Sequence, residues 1–213
     1  MDQLDEAYSE EVAVILRAMY AAKRAKENDV PDQIEEVKRI STEYCIRIMV
    51  LKEFAISIYY LEYQGLYLGS IGAANNRSVL KSLNVTHILT VASSLPPSYP
   101  NEFKYKIVDV QDRESINIAQ YFDECFGFIE EAKEMGGNVL VHCFVGRSRS
   151  VTIVVAYLMK KRGMSCSEAL QHVKSKRAVA FPNSGFLLQL QSFEESLRGQ
   201  KRENSSTAVL LKQ

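Results

Sequence analysis

The sequence lacks a long hydrophobic run, and this absence bears on membrane association. Its longest apolar-rich run, from Phe54 to Leu61, contains Ser57 and falls far short of the ~20 apolar residues that a membrane-spanning helix needs. The first residues, MDQLDEAYSEE, are acidic, whereas a secretory signal begins with basic residues followed by an apolar segment. The sequence therefore predicts neither a membrane span nor export.

Cysteine and histidine are scarce, and the charges of the two signs balance. The four cysteines and three histidines are widely spaced and form no paired metal-ligand pattern. They are Cys45, Cys125, Cys143, Cys166, His87, His142 and His172. The 26 basic residues equal the 26 acidic ones, so the net charge gives no support for nucleic-acid binding. We expect a reducing compartment, the cytoplasm with access to the nucleus, and neither a structural metal nor a cofactor.

One stretch, NVLVHCFVGRSRS at residues 138–150, combines a strand, a glycine-containing loop and a helix. Val139–Val141 has the pattern of a buried strand, and Ser150–Lys161 has the pattern of a helix. Between them, Cys143 and Arg149 are separated by five residues that can close a ring around a phosphate. The five, predicted to bind phosphate together with Arg149, are Phe144, Val145, Gly146, Arg147 and Ser148.

Residues 143–149, which we call the phosphate loop, offer the groups that phosphoryl transfer requires. A loop that turns its amide groups inward at a helix N-terminus binds anions, and its glycine supplies the necessary backbone freedom. The same environment favours a thiolate, so Cys143 is the candidate nucleophile. Arg149 can bind two phosphate oxygens at once. Ser150 can donate a hydrogen bond to the departing sulfur, and His142 can support the loop from behind.

Transfer of a phosphoryl group to sulfur also requires an acid that protonates the leaving oxygen. Asp112, in the stretch VDVQDRESI, follows a predicted strand and can lie over the pocket. Two other interpretations exist: Asp112 caps a helix, or Asp109 is the acid. A non-catalytic interpretation of the loop is that Cys143 is a small buried hydrophobic residue and Arg149 a solvated cation.

The stretch HCFVGRSRS resembles the signature loop of the cysteine-dependent protein phosphatases, in particular the dual-specificity group. Segments between Gly65 and Leu197 resemble the family core in order, namely GLYLGS, NVTHILTVA, YFDECFGFI and PNSGFLLQLQSFE. The resemblance is strongest to small plant members of the group that act on MAP kinases. It favours Asp112 over Asp109 as the acid. It also indicates that Asn183 steadies the loop, with an N-cap of the last helix as the alternative.

The resemblance implies a phosphoric monoester hydrolase that acts on phosphotyrosine and on phosphoserine or phosphothreonine in proteins, through a phosphocysteine intermediate. MAP kinases are the substrate class that it suggests. A phosphoinositide or inositol-phosphate phosphatase is one alternative, although such sites tend to carry several basic residues in the loop. Here only Arg147 is basic between Cys143 and Arg149. A phosphoprotein-binding scaffold with weak catalysis is the other alternative.

Strands that alternate with helices predict an α/β fold, with a mostly parallel central sheet flanked by helices, as in cysteine-dependent phosphatases. The predicted strands are Leu66–Leu68, Thr86–Ala92, Tyr105–Val110 and Val139–Val141. The predicted helices are Arg77–Leu83, Ile116–Met135, Ser150–Lys161, Ser167–Lys176 and Gly185–Leu197. We divide the chain into an N-terminal helix and linker (1–36), an atypical insertion (37–63), the catalytic domain (64–198) and a mobile tail (199–213).

The chain departs from the family pattern in two places. Residues 37–63 intervene where relatives continue almost directly to the first core strand. Arg177-Ala178 stands where the family usually has Arg-Pro, which we expect to loosen the phosphate loop modestly. Ahead of both, residues 11–26 form a basic amphipathic pattern that is typical of calmodulin-binding helices, although such helices also pack on their own domain.

Overall fold

The computed structural model describes residues 58–61 and 65–210, with side chains up to residue 200 except at Tyr59 and Tyr60. These residues belong to a compact unit that begins at Ser57. The predicted N-terminal helix with its calmodulin segment 11–26, and the insertion up to residue 57, lie outside the described residues. They stay predictions. No helix within the described part of the chain is long and apolar enough to cross a membrane.

Five strands form one sheet in the order β1-β2-β5-β3-β4. They are β1 (Tyr59–Tyr60), β2 (Leu66–Gly69), β3 (Val85–Val91), β4 (Lys104–Val108) and β5 (Asn138–His142). The pairs β2/β5, β5/β3 and β3/β4 are parallel, and only β1 runs antiparallel, against β2. The predicted mostly parallel sheet is thus confirmed, and each of the four predicted strands is present with its ends shifted slightly.

Six helices flank the sheet among the described residues. They are α1 (Ile71–Ala74), α2 (Arg77–Ser82), α3 (Phe122–Glu134), α4 (Arg149–Arg162), α5 (Cys166–Lys176) and α6 (Ser184–Leu210). A capping box begins α5, since the side chains of Ser165 and Glu168 each bond the other's backbone N–H. Helix α4 is buried from Arg149 to Met159, as its nearly all-round apolar sequence predicts.

Two predicted helix ends are wrong. The helix expected from Ile116 begins at Phe122, after a short 3-10 turn at Ala119–Tyr121. The side chain of Gln189 accounts for this, because its oxygen accepts from the amides of Ile118 and Ala119.

The last helix does not end at Leu197 but continues to Leu210. No proline follows Pro182, and Gly199 is the only glycine after Gly185, so nothing in the sequence stops the helix earlier. The helix therefore runs into residues 199–213, whose predicted mobility stays a prediction.

The sheet has a core on each face because successive residues of a strand point to opposite sides. The larger core packs helices α3 to α6 against side chains such as Leu68, Leu89 and Val141. The smaller core packs α1 and α2 against the alternating residues Ile88 and Leu140. Both faces of β3 and β5 are therefore buried, which accounts for their uninterrupted apolar sequences.

Residues 58–61 lie in the predicted insertion, yet they pack with the catalytic domain. Leu61 is fully buried in the larger core, and its amide donates to the carbonyl of Leu66 at 3.1 Å. Its own carbonyl accepts a hydrogen bond from Nε2 of His172 at 3.1 Å. The packed unit therefore starts before the boundary that we placed at residue 64.

We expect Leu61→Ala to lower the free energy of unfolding by about 2–5 kcal/mol, because it leaves a cavity in the core. Urea unfolding of the full chain measures this change. Leu188→Ala is the matched control, since Leu188 is 63% exposed and its removal should change stability by no more than about 0.5 kcal/mol. Equal stability of the two variants would show that residues 58–61 do not belong to the folded core.

Candidate active site

The phosphate loop connects the carboxyl end of β5 to the first turn of α4, where ligands of parallel α/β sheets bind. Its glycine, Gly146, has a φ of 72°, in the left-handed region that favours glycine. A Cβ atom there would lie 2.4 Å from the carbonyl oxygen of Gly69 at the end of β2. Both the backbone conformation and the close approach to β2 therefore require glycine at this position.

The loop is held from outside by its backbone carbonyls. Each carbonyl from residue 143 to residue 147 accepts a hydrogen bond from a donor outside the ring of five residues. The pairs, acceptor first, are Cys143 with His142 Nδ1, Phe144 with the amide of Ile71, Val145 with Arg177 Nη2, Gly146 with Arg177 Nε, and Arg147 with the amide of Phe181.

The carbonyl bonds determine where the loop amides point. In a trans peptide the C=O and the next N–H point in opposite directions, so carbonyls held outward turn the amides inward. The Val145–Gly146 peptide shows this directly: its carbonyl is bonded to Arg177, and its N–H donates to Cys143 Sγ at 3.2 Å. Converging amides of this kind form an anion-binding nest.

Cys143 lies at the centre of this nest and is almost completely buried. Its sulfur accepts a second hydrogen bond from the hydroxyl of Ser150, also at 3.2 Å. Donors that point at a sulfur stabilise the thiolate over the thiol. The structure thus brings Cys143 and Ser150 into the contact that a thiolate nucleophile requires.

Arg149 is 5% exposed and lies between the loop and the acid candidate. Its Nη1 donates to the carbonyl of Val110 at 3.2 Å. Its Nε lies 3.4 Å from Oδ2 of Asp112, which is within ion-pair distance. Within the part of the chain that the structure describes, this Nε makes no hydrogen bond. The guanidinium is therefore oriented at the mouth of the nest, with a carboxylate as its counter-ion.

Asp112 accepts two hydrogen bonds, one from the phosphate loop and one from Asn183. Its Oδ1 accepts from the hydroxyl of Ser148 at 2.7 Å and from the side-chain amide of Asn183 at 2.9 Å. It does not cap a helix, since the N-cap residues of the following 3-10 turn and of α3 are Ile118 and Tyr121. Asp109 is exposed just beyond β4. Of the two acid candidates, Asp112 is the one bonded to the loop.

Asn183 has both of the roles that the sequence suggests, support of the loop and the N-cap of the last helix. Its Oδ1 accepts from the amide of Phe186 at 2.9 Å, which is an N-cap of α6. Its backbone amide donates to Ser148 Oγ at 3.1 Å, and its side-chain amide donates to Asp112. A single residue therefore links α6, the loop and the acid.

Arg177 is a site residue that the sequence analysis missed. From the sequence, Arg177-Ala178 is only a departure from the family pattern that predicts a modestly looser loop. Its guanidinium is 1% exposed and donates to the carbonyls of Gly146 at 2.7 Å and Val145 at 2.6 Å. Lys174 and Lys176 precede it on α5, so the local sequence resembles a solvated basic helix end and carries no signal of burial.

His142 supports the loop as a neutral ring. Burial, with a smaller contribution from the Arg149 charge, lowers the pKa of His142 to about 4. Because a carbonyl can only accept, Nδ1 carries the proton and donates to Cys143 O at 3.3 Å. Nε2 is then the acceptor for the hydroxyl of Thr90 at 2.8 Å.

The other described cysteines have the properties of core residues. Burial raises the pKa of Cys125 to about 12 and also raises the pKa of Cys166. Both therefore stay protonated and unreactive at neutral pH. Across residues 58–61 and 65–210, no three His, Cys, Asp or Glu side chains are grouped as a metal site requires.

A buried cysteine in a nest of amides, with an arginine and an aspartate at its mouth, defines a cysteine-dependent phosphatase site. Comparison with known proteins agrees with this class. Residues 66–196 match the family described as "Dual specificity phosphatase, catalytic domain". The chain belongs to this family, and it is a protein phosphatase.

Two relatives and one solved structure show the extent of the similarity. The chain is 50% identical to dual specificity protein phosphatase 1 of Arabidopsis thaliana, over 93% of this chain and 86% of the relative. It is 48% identical to MAP kinase phosphatase with leucine-rich repeats protein 1 of Dictyostelium discoideum, over 62% of this chain but 16% of that protein. The crystal structure of human DUSP28 superposes with a TM-score of 0.63 and 37% identity, covering 66% of this chain and 95% of that one.

The burial of His142 predicts a pH dependence of stability. The unfolded chain binds this proton near the ordinary pKa of 6.5, and the folded chain binds it only near about 4. Between these values acid protonates the unfolded form first, so stability falls as the pH falls from about 6.5 towards about 4. The contribution is on the order of 3 kcal/mol. Urea unfolding at a series of pH values measures it.

His142→Asn serves as the control, because the part of the pH dependence that His142 causes should disappear in it. A proton NMR titration provides the direct check. A His142 ring that titrates near 6.5 in the folded protein would contradict the prediction.

We expect Arg177→Lys to lower kcat/KM for an aryl phosphate by about 10–100-fold, because one ammonium cannot hold two adjacent carbonyls in a fixed orientation. Iodoacetamide should also alkylate Cys143 more slowly, since the Gly146 amide that faces the sulfur is no longer fixed. The control is Arg198→Lys, an equivalent change at an exposed ion pair with Glu194. If the two variants behave alike, Arg177 does not orient the loop.

Proposed function

We propose that the protein hydrolyses phosphotyrosine and phosphoserine or phosphothreonine in proteins through a phosphocysteine intermediate. One observation carries the proposal: Cys143 Sγ accepts hydrogen bonds from the Gly146 amide and the Ser150 hydroxyl inside a loop that has an arginine and an acid at its mouth. A nucleophile, an anion-binding nest and a proton donor are thus within one site.

In the first step the Cys143 thiolate attacks phosphorus, so an S–P bond forms and the bond to the substrate oxygen breaks. The loop amides and the Arg149 guanidinium bind the oxygens of the transferring group and stabilise their charge. The carboxyl proton of Asp112 passes to the departing oxygen, which leaves as a neutral alcohol or phenol.

In the second step water attacks the phosphocysteine and Asp112 takes up one of its protons. The S–P bond breaks, and the electron pair returns to sulfur as a thiolate. The Ser150 hydroxyl and the Gly146 amide, each 3.2 Å from the sulfur, stabilise this leaving thiolate. Inorganic phosphate is released, and the site returns to its starting state.

MAP kinases are the proposed substrate class. A relative that is 48% identical over the catalytic region is named a MAP kinase phosphatase, which supports the choice. The alternative of an inositol-phosphate phosphatase has less support, because the loop has two cations and one of them, Arg147, lies over the ring of Phe181. A non-catalytic scaffold is disfavoured because the acid and the nucleophile both lie at the nest.

Cys143→Ser should abolish hydrolysis of an aryl phosphate and of phosphopeptides, in buffer that contains EDTA. Cys166→Ser is the matched control and should stay close to wild type, because Cys166 is a buried core thiol. Asp112→Asn should slow turnover by about 10²–10⁴-fold. The loss should be larger for phosphoserine peptides than for aryl phosphates, since an alkoxide needs protonation more than a stabilised phenoxide does.

Steady-state kinetics with both substrate types test these expectations, and mass spectrometry of acid-quenched Asp112→Asn should detect a phosphate on Cys143. Turnover that survives Cys143→Ser would end the proposal.

A further inference from the structure

The segment that carries Asp112 has little packing of its own. It lies between Val110, just beyond β4, and Ile118, the N-cap of the 3-10 turn, and both of these ends are buried. Residues 111–115, Asp112 included, are all exposed. A segment with few buried apolar contacts opens easily unless other bonds hold it. The position of Asp112 therefore depends on the polar contacts of residues 111–117, which we call the acid loop.

The N-terminal end of α6 contacts the acid loop through two side chains. Asn183 Nδ2 donates to Asp112 Oδ1 at 2.9 Å, and the hydroxyl of Ser184 donates to Glu114 Oε1. Both hydrogen bonds lie at the exposed surface, where water competes for the same donors and acceptors. These two contacts alone would hold the acid loop only weakly.

Gln189, further along α6, holds the far end of the acid loop with three hydrogen bonds. Its Oε1 accepts from the amide of Ile118 at 2.8 Å and from the amide of Ala119 at 3.0 Å. Its Nε2 donates to the carbonyl of Ile116 at 2.8 Å. All three bonds are partly buried, so water competes with them less. One side-chain amide thus fixes the backbone on both sides of Asn117.

The third of these bonds separates Gln189 from an ordinary helix cap. The amides of Ile118 and Ala119 belong to the start of the 3-10 turn, which has no side-chain cap from its own N-cap residue. A helix start leaves such amides without partners inside the helix, and Gln189 satisfies two of them. The carbonyl of Ile116 lies ahead of the turn, however, so capping does not require a bond to it.

A turn connects this bonded carbonyl to the acid. The amide of Ile116 donates to the carbonyl of Arg113 at 3.1 Å. Arg113 follows Asp112 directly, and the carboxyl group of Asp112 is held from the other side by Ser148 and Asn183. A displacement of Ile116 would therefore shift the peptide that follows Asp112.

We propose that Gln189 is a positioning residue: it fixes the acid loop on α6 and so places the Asp112 carboxyl group at the mouth of the nest. This inference rests on the proposed function, in which Asp112 gives its proton to the departing oxygen. An acid must lie within about 2.6–3.2 Å of the atom that it protonates, so a small displacement slows the transfer strongly. The loss is confined to substrates that need the acid.

The experiment uses Gln189→Met, which keeps the approximate length of the side chain and removes all three hydrogen bonds. A phosphoserine peptide releases an alkoxide that must be protonated, whereas para-nitrophenyl phosphate releases a stabilised phenoxide. The variant should lower kcat/KM by about 10–100-fold for the peptide and by no more than about threefold for para-nitrophenyl phosphate. The ratio of the two values is the measured quantity, because any unfolded fraction of the variant cancels in it.

Gln191→Met is the matched control. Gln191 is an exposed glutamine on the same helix, so the same change there should leave both kcat/KM values within about twofold of wild type.

A double-mutant cycle tests whether Gln189 acts through Asp112. With a phosphotyrosine peptide, Gln189→Met alone should lower kcat/KM by about tenfold. In the Asp112→Asn background the acid is already lost, so adding Gln189→Met should change kcat/KM by less than about twofold. This cycle also decides the question if the phosphoserine peptide is not hydrolysed.

The outcomes separate this inference from the function on which it rests. An equal loss for both substrates, or the full loss again in the Asp112→Asn background, would overturn the proposal and leave Gln189 as a helix cap at a distance. Unchanged kcat/KM values in Gln189→Met would overturn it as well. A wild-type protein that hydrolyses none of the three substrates would instead count against the proposed function itself.

Discussion

The site depends on the orientation of a few peptide groups. Because C=O and N–H of a trans peptide point in opposite directions, a loop whose carbonyls are bonded outward presents its amides inward. Amides that converge on one point repel one another unless an anion lies there, so the loop needs external support. That support comes from four separate parts of the fold: the start of α1, the end of β5, Arg177 after α5, and Phe181 before α6.

Hydrogen bonds also link Asp112, the proposed acid, to the amide nest. Ser148 is a loop residue, and its hydroxyl donates to Asp112 while it accepts from the Asn183 amide. A shift of the loop would therefore move the acid as well. Gly185 lets the segment after Asp112 approach α6 closely, since a Cβ there would lie 2.1 Å from the carbonyl oxygen of Glu114. The proposed nucleophile and acid are thus linked through Ser148 and Asn183.

The sequence was most informative where the chemistry and the structure are both local. The spacing of Cys143 and Arg149, the strand before them and the helix after them follow from short patterns, and the parallel sheet was predicted from alternating elements. Contacts between distant parts of the chain could not be predicted. Arg177 looked like a solvated cation, and Leu61 lay in a segment that resembled no core element. In both cases the partner is distant in sequence, and only the fold brings it near.

The resting ion pair also bears on how Asp112 can act first as an acid. A buried guanidinium requires an anion, and in the free protein the Asp112 carboxylate lies 3.4 Å from Arg149. Under the proposed mechanism, a bound phosphate carries more charge and occupies the fork of Arg149, so it would displace the carboxylate as the counter-ion. The carboxyl group would then leave the ion pair while it keeps its hydrogen bonds to Ser148 and Asn183. Under the proposed mechanism, substrate binding therefore frees the Asp112 carboxyl group from Arg149, while Ser148 and Asn183 hold it beside the loop.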